Sequence, residues 1–357
     1  MKMALRLAVR AKGRTSPNPL VGALIVKDGA VIGRGYHKKA GTPHAEVNAI
    51  ADAGGLARGA TIYVTLEPCN HQGRTPPCTR AIMESGLARV VIGMADPNPL
   101  VAGGGSGYLA SQGLDVVNGV LEDKCRRINR PFSKWATTGR PWVIMKAGLS
   151  LDGRMAAGSG KPDWISNEKS RRYSHVLRDR ADGILVGIGT VLADNPSLTT
   201  RLPGLSHSDP TRIVLDTKLR MPPTAKMLTL NSGAETIVFC AADAPPDKKK
   251  ALQRAGAVPV PVKIADNGRL DLEDILSELG KRQISSVLVE GGSKVHTSFL
   301  DRGLVDQVNL FYGPFFIGGD GIPVAGTLGL DVVEQAPRLK DVSSRRFGDD
   351  VMIEGYF

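Results

Sequence analysis

Apolar and polar positions alternate along the chain in short runs, and stretches of helical period separate the runs. LVGALIV (20–26) and AVIGRGY (30–36) read as two strands joined at Asp28-Gly29, a dipeptide that tolerates the left-handed backbone of a tight hairpin turn. Residues 43–53 read as a helix, with Thr42 as N-cap and Pro43 in the first turn. ATIYVTL (60–66) is a strand, Pro77 to Ser85 a helix stopped by Gly86, and RVVIGM (89–94) and LDVV (114–117) are further strands. Residues 125–141 carry mixed charge, two prolines and no clean apolar period, and read as a junction. A second series then begins. Its strands are expected at 142–148, 183–187, 211–216, 236–240, 258–262 and 285–290, and its helices at 167–180, 247–255 and 271–282. Strands alternating with helices predict layered α/β structure, here in two domains, 1–124 and 142–357.

Length agrees with that division, since 357 residues make about two domains at ordinary size. With 42% hydrophobic and 23% charged residues the chain is an ordinary globular one, not a disordered or fibrous one. No run reaches eighteen apolar residues, so no membrane span is expected. The N-terminal segment lacks both the apolar core and the cleavage site of a signal peptide, and a cytoplasmic location is expected. Four cysteines (Cys69, Cys78, Cys125, Cys240) are too few to staple such a chain and suit ligands or buried apolar positions better. The net charge of +11 is uneven. Residues 1–140 hold 19 Lys and Arg against 9 Asp and Glu, whereas 141–357 hold 27 against 26. Such a bias suits an anionic ligand, either nucleic acid or a small phosphorylated substrate, or simply a basic soluble surface.

The chemistry-bearing residues are Pro43-His44-Ala45-Glu46 and the run from Pro68-Cys69 to Pro77-Cys78. One histidine and two cysteines make a three-ligand zinc set with an open fourth position, the mark of a catalytic rather than a structural site. Cys78 at a predicted helix start gains from the dipole as a thiolate. Glu46, two residues after His44, cannot share its helical face and is placed as a proton carrier. H-x-E followed by P-C and a second Cys is the form of the zinc deaminase signature. His71 is a rival ligand, although a Cys69/His71 pair would crowd the ion. H-E-x-x-H is absent, which argues against a zinc protease. Gly187-Ile188-Gly189-Thr190 follows a strand but lacks the third glycine of a dinucleotide fingerprint, and VAGGGSG (101–107) reads best as a loop.

At SPNPLVGAL (16–24), HAEV (44–47) and TLEPCNHQGRTPPC (65–78) the chain resembles the deaminase half of the bifunctional riboflavin-biosynthesis deaminase/reductases. Eight residues between the two cysteines, in place of the usual two, are typical of that branch. The C-terminal part resembles the reductase half at KAGLSLDGR, TVLADNPSLTTR (190–201) and VEGGS (289–293). The resemblance implies a cytidine-deaminase-like three-layer α/β domain followed by a dihydrofolate-reductase-like domain. It implies one zinc per chain on His44, Cys69 and Cys78, with Glu46 catalytic, and Asn18, His37 and Arg74 around a small phosphorylated pyrimidine. Asn18 equally suits a turn between prolines, and His37 a surface position at a hairpin end. In the second domain it implies NADPH against Gly148, Trp164, Thr190, Asp194, Thr217 and Gly292, Ser293, Lys294, Val295, His296, Thr297 and Ser298. Substrate contacts fall at Pro162, Arg178, Leu198, Arg201 and Glu290, with Pro162 standing where the family often has serine. Asp194 also suits a turn cap before Pro196, and Trp164 a packing role. A soluble homo-oligomer, dimer or tetramer, acting on neither nucleic acid nor membranes completes the expectation. The rival readings are a nucleic-acid adenosine or cytidine deaminase with an accessory nucleotide-binding domain, and a zinc-stabilised nucleotide-binding scaffold.

Overall fold

Asp28 and Gly29 both take positive φ, 47° and 76°, and strands β1 (Gly22–Lys27) and β2 (Ala30–Tyr36) pair antiparallel across them. The computed structural model describes residues 1–72, 76–99, 104–158, 164–204 and 206–357. Arg74 and Pro162 therefore lie outside the described residues. The chain divides into two units, Met1–Arg140 and Pro141–Phe357.

In the first unit β3 (Thr61–Leu66), β4 (Arg89–Met94) and β5 (Asp115–Val117) complete a sheet of order β2-β1-β3-β4-β5, antiparallel up to β3 and parallel beyond it. Glycines show how the helices are layered on it. A side chain at Gly33 or Gly35 of β2 would meet the backbone of Ala49 or Ala45 in α2 (Ala45–Ala53). A side chain at Gly22 would instead meet Ala4 and Ala8 of α1 (Lys2–Ala8). Registry puts Gly22, Thr65 and Gly93 on the face opposite Ala23 and Val64, so α1 lies on one face and α2 on the other. The result is a three-layer α/β/α unit. The alanines at 45, 49 and 53 and the facing glycines let α2 sit very close to the sheet. That approach fixes where His44 and Glu46 project.

The remaining helices are α3 (Cys78–Glu84), α4 (Gly104–Ser111), α5 (Glu122–Ile128) and α6 (Arg130–Thr138). The segment 125–141, read above as a junction, is mostly helical, and all of it but Pro141 belongs to the first unit. Cys125 of α5 is fully buried against Gly93. Gly104 to Gly107, expected as a loop, open α4 instead.

The second unit is built on β6 (Trp142–Leu149), with β7 (Arg154–Ala156), β8 (Gly183–Gly187), β9 (Thr211–Leu215), β10 (Thr236–Ala241), β11 (Ala257–Val262), β12 (Ser286–Val289), β13 (Gln307–Tyr312), β14 (Ile322–Pro323), β15 (Lys340–Phe347) and β16 (Asp350–Tyr356). Nine of these form one sheet, β11-β10-β9-β8-β12-β6-β13-β16-β15, and β7 pairs with β14. The seven strands from β11 to β13 are parallel, and β16 and β15 close the edge antiparallel.

Helices α7 (Glu168–Arg180), α8 (Ile188–Asp194), α9 (Lys226–Thr229) and α10 (Pro246–Arg254) pack residues such as Leu177, Val191, Met227 and Leu252 against one face. Helices α11 (Leu272–Lys281) and α12 (Ser293–Asp301) bury Ile275, Leu276, Leu279 and Phe299 against the other. Strand β12 is inserted between β8 and β6, and the helices that follow β8 and β12 leave to opposite faces. The carboxyl ends of β8 and β12 therefore flank a crevice, the usual ligand position in an open α/β sheet.

Candidate active sites

In the first unit the end of β3 carries the chain into Pro68-Cys69, and α3 begins at Cys78. The α2 helix starts two residues later than its sequence suggests. His44, not Thr42, is the N-cap, and the Thr42 hydroxyl bonds the Lys39 carbonyl instead. This frees the His44 ring to face the two cysteines. The His44 Nδ1 atom lies 3.2 Å from Cys78 Sγ and 3.6 Å from Cys69 Sγ. All three ligand atoms fall within 4.8 Å of one another. A tetrahedral zinc with ordinary bond lengths would set N···S near about 3.6 Å, so the set fits the ion as it stands. His71 is exposed and outside the cluster.

Electrostatics agree with a ligand set. Cys69 is pulled down to about 4, first by the Cys78 thiol that bonds it and then by His44, while Cys78 shifts upward in exchange. His44 is raised chiefly by its bond to Cys69. Glu46 is buried beside them, and burial raises it to about 7. Its Oε2 has no hydrogen-bond partner among the described residues. A carboxyl in that position can both give and take a proton near neutrality.

Asn18 and His37 are brought to the same place. The Asn18 amide lies 3.1 Å from His37 Nε2, and the rings of His37 and His44 meet edge to face at 5.2 Å. His37 is buried and not a surface residue at the hairpin end; burial lowers its pKa. Sequence reasoning missed Glu67. Its buried carboxylate accepts the amides of Ser106 at 2.9 Å and Asp96 at 3.2 Å, tying the first turn of α4 and the loop after β4 to the segment that delivers Cys69.

In the second unit a cleft of about 1600 Å³ opens at the carboxyl ends of the parallel strands. Gly148, Trp164, Thr190, Asp194, Thr217, Gly292, Ser293, Lys294, Val295 and Ser298 line it, as do Arg178, Leu198, Arg201 and Glu290. His296 and Thr297 are not among its lining residues. They lie within α12, not on a loop: His296 is wholly buried, and Thr297 uses its hydroxyl on the Ser293 carbonyl and the Gly326 amide. Trp164 is not a packing residue, being 76% exposed with the Arg171 guanidinium stacked 4.4 Å from its ring. Asp194 is not a cap. Asn195 ends α8 in the left-handed conformation and accepts the Lys226 amide, leaving the Asp194 carboxylate unbonded among the described residues.

The cleft suits a dinucleotide. A side chain at Gly291 would strike Val186, and one at Gly187 would strike Val295, so the turns after β12 and β8 can approach only as glycines. Gly189 faces open space, and Gly292, at φ 73°, is the N-cap of α12, whose first backbone amides face the cleft.

Deeper in, Arg178 grips Glu290 with two bonds of 2.9 and 2.7 Å and donates a third to the Thr199 carbonyl. The side chains are only 15% and 8% exposed. Burial alone would raise Glu290, yet Arg178 and Lys146 hold it down at about 2. Lys146 itself was missed. It sits in β6 where neighbours alternate apolar, and burial lowers its pKa.

Residues 1–94 match the family model of the cytidine and deoxycytidylate deaminase zinc-binding region, and residues 141–353 match that of the RibD C-terminal domain. The chain is 43% identical over 355 residues to riboflavin biosynthesis protein RibD of Bacillus amyloliquefaciens, spanning 99% of this chain and 94% of the relative. It superposes on the solved structure of Acinetobacter baumannii RibD, form 1, with a TM-score of 0.90 at 36% identity, covering 99% and 97% of the two chains. A diaminohydroxyphosphoribosylaminopyrimidine deaminase/5-amino-6-(5-phosphoribosylamino)uracil reductase from Thermotoga maritima gives 0.87 at 39%, covering 100% and 97%. The first unit is thereby cytidine-deaminase-like and the second dihydrofolate-reductase-like. Matching family models on both units and relatives of near-equal length show that the chain belongs to the RibD family, bifunctional enzymes of riboflavin biosynthesis that join a zinc deaminase to an NADPH-using reductase.

Proposed function

We propose that the first unit hydrolyses the 2-amino group from 2,5-diamino-6-ribosylamino-4(3H)-pyrimidinone 5′-phosphate, and that the second reduces the ribosyl group of the product to ribitylamino. The observation that carries the first assignment is the convergence of His44, Cys69 and Cys78 within 4.8 Å, with buried Glu46 beside them. Zinc held there supplies the Lewis acidity that ionises a water near neutral pH. Glu46 takes the proton of the attacking water and passes it to the ring nitrogen, then takes the proton of the newly added hydroxyl and gives it to the amine, which leaves as ammonia while the carbonyl forms. Asn18 and His37 orient the pyrimidine, and Arg74 is assigned to its phosphate by resemblance.

In the second unit NADPH supplies the hydride. Hydride arriving at the ribosyl C1 opens the sugar, and the ring oxygen must be protonated as it leaves. Lys146 lines the cleft and its ammonium is destabilised by burial, which supports assigning it as the donor of that proton. Glu290, fixed as an anion by Arg178, holds sugar hydroxyls. Since the Arg178 fork is committed to Glu290 and Thr199, Arg201 carries the phosphate. By resemblance Asp194 is assigned to the nicotinamide and Leu198, at φ 51° in the cleft lining, to the substrate.

Among the described residues no helix is long and apolar enough to cross a membrane. With four free cysteines, this supports the cytoplasmic reading. A dimer or tetramer is the companion reading, checked by sedimentation. Elemental analysis tests the metal site. One zinc per chain is expected, falling to near zero in Cys69→Ala/Cys78→Ala; full zinc in that variant would sink the assignment.

A further inference from the structure

We propose that His175 fixes Arg201 from one ring nitrogen and donates to the substrate's phosphate from the other, and so selects a phosphorylated ribosyl group over the bare riboside. The proposal rests on reading the second cleft as the substrate site of the reductase. Its starting point is how the chain is held after α8. Residues 199–201 belong to no helix or strand, yet side chains hold the backbone at each of the three. The Arg178 guanidinium donates to the Thr199 carbonyl at 3.0 Å, the Thr200 amide donates to Asp209 Oδ1 at 2.7 Å, and the Arg201 amide donates to His175 Nδ1 at 3.2 Å. His175 and Arg178 stand three residues apart in α7, so they share one face of that helix and splint the segment from one side.

Two of the three holders are committed elsewhere. Arg178 also grips Glu290, and Asp209 also accepts the Ser232 hydroxyl at 2.7 Å. His175 keeps one nitrogen in reserve. A backbone amide can donate only to an unprotonated nitrogen, so Nδ1 is bare, the ring is neutral and its proton sits on Nε2. That Nε2–H carries no hydrogen bond among the described residues, and His175 lines the cleft together with Arg178 and Arg201. Four charged groups face the ring: Arg178 on its own helix, Arg201 on the held segment, Lys146 from β6 and Glu290 after β12. Burial first, and then Arg178 and Arg201, lower its pKa to about 4, so the donor keeps its form at neutral pH. A neutral Nε2–H offers a donor and nothing else. A sugar hydroxyl also needs an acceptor, which Glu290 provides, whereas every oxygen of a phosphate dianion accepts. The Arg201 guanidinium then supplies the charge, and His175 a directed bond to a further oxygen.

The test follows NADPH oxidation by the full-length zinc-loaded protein on two compounds, the deaminated uracil intermediate and its dephosphorylated riboside. His175→Phe keeps a ring and loses both nitrogens. It should raise KM for the phosphorylated intermediate by on the order of tenfold to a hundredfold, the worth of a hydrogen bond to a charged group, with kcat changed by less than about threefold. With the riboside the rise in KM should stay below about threefold, because the lost contact was never made. His175→Asn, whose amide oxygen can stand near the Nδ1 position and hold the Arg201 amide, should recover part of the loss. Nitrogen NMR of the wild type reads the same contact without a variant. His175 is expected as the Nε2–H tautomer, with that proton shifting on addition of ribose 5-phosphate and not of ribose. Equal losses on both compounds, a fall in kcat in place of the rise in KM, no recovery in His175→Asn, or an Nδ1–H tautomer would overturn the proposal. If the wild type reduces neither compound, the reductase reading of the cleft fails first and the proposal falls with it; if it reduces both and His175→Phe leaves KM unchanged, the proposal alone fails.

Discussion

Glu46→Gln should retain one zinc per chain and lose ammonia release by on the order of a hundredfold to ten-thousandfold, the usual worth of a positioned acid/base. The amide keeps the size and one acceptor oxygen of the carboxyl but cannot carry a proton. The zinc set should survive, because His44, Cys69 and Cys78 converge without Glu46. The site tolerates the exchange, since Glu46 is buried and burial already favours its uncharged form. NADPH oxidation on the deaminated uracil intermediate should stay at the wild-type rate, because the cleft that would use it is lined wholly by residues after 140. Normal ammonia release by the variant would remove Glu46 from the reaction, and zinc loss would make it a ligand.

Arg178→Met should destabilise the second unit by about 3–5 kcal/mol at neutral pH, because it leaves a buried carboxylate without its partner. The pH dependence gives the sign. In the wild type Glu290 is held at about 2, below the ordinary carboxylate value of 4.5. The stability it contributes is fully present above 4.5 and is lost as pH falls toward 2. In the variant the arginine is gone and burial pushes the carboxyl up, so protonation relieves the site. The gap between variant and wild type should therefore be widest near neutrality and shrink on acidification. Thermal melts from pH 7 to 4 measure it; a constant gap would mean that the pair is not the source of the loss.

The residues differ in how openly they declare themselves. The hairpin was legible because Asp-Gly meets a turn need that few dipeptides meet, and the zinc set because His, Cys and Cys recur only where a metal or a thiol chemistry requires them. Burial and tertiary contact decided the rest. The α4 sequence GGSGYLAS has poor helix propensity, yet Gly105 must be bare because a side chain there would meet the Pro68 carbonyl. The α8 helix was hidden behind the look of a glycine fingerprint, and α12 behind a resemblance that marks contacts and not conformation. His296 shows the limit of that transfer: a position inside a contact run can still face the core. The edge strand β15 went unread because it is mostly exposed and mixed in charge. Lys146 was opaque because only the fold shows which face of a strand meets the cleft.

The central claim is two chemistries on one chain, in fixed order, in separate sites. The most direct test incubates the zinc-loaded protein with the diaminopyrimidine phosphate, first without and then with NADPH, reading ammonia and NADPH absorbance together. One ammonia per substrate without NADPH, followed by one NADPH oxidised per substrate once it is added, is the result expected. NADPH oxidation without prior ammonia release, or ammonia release that requires NADPH, would contradict it.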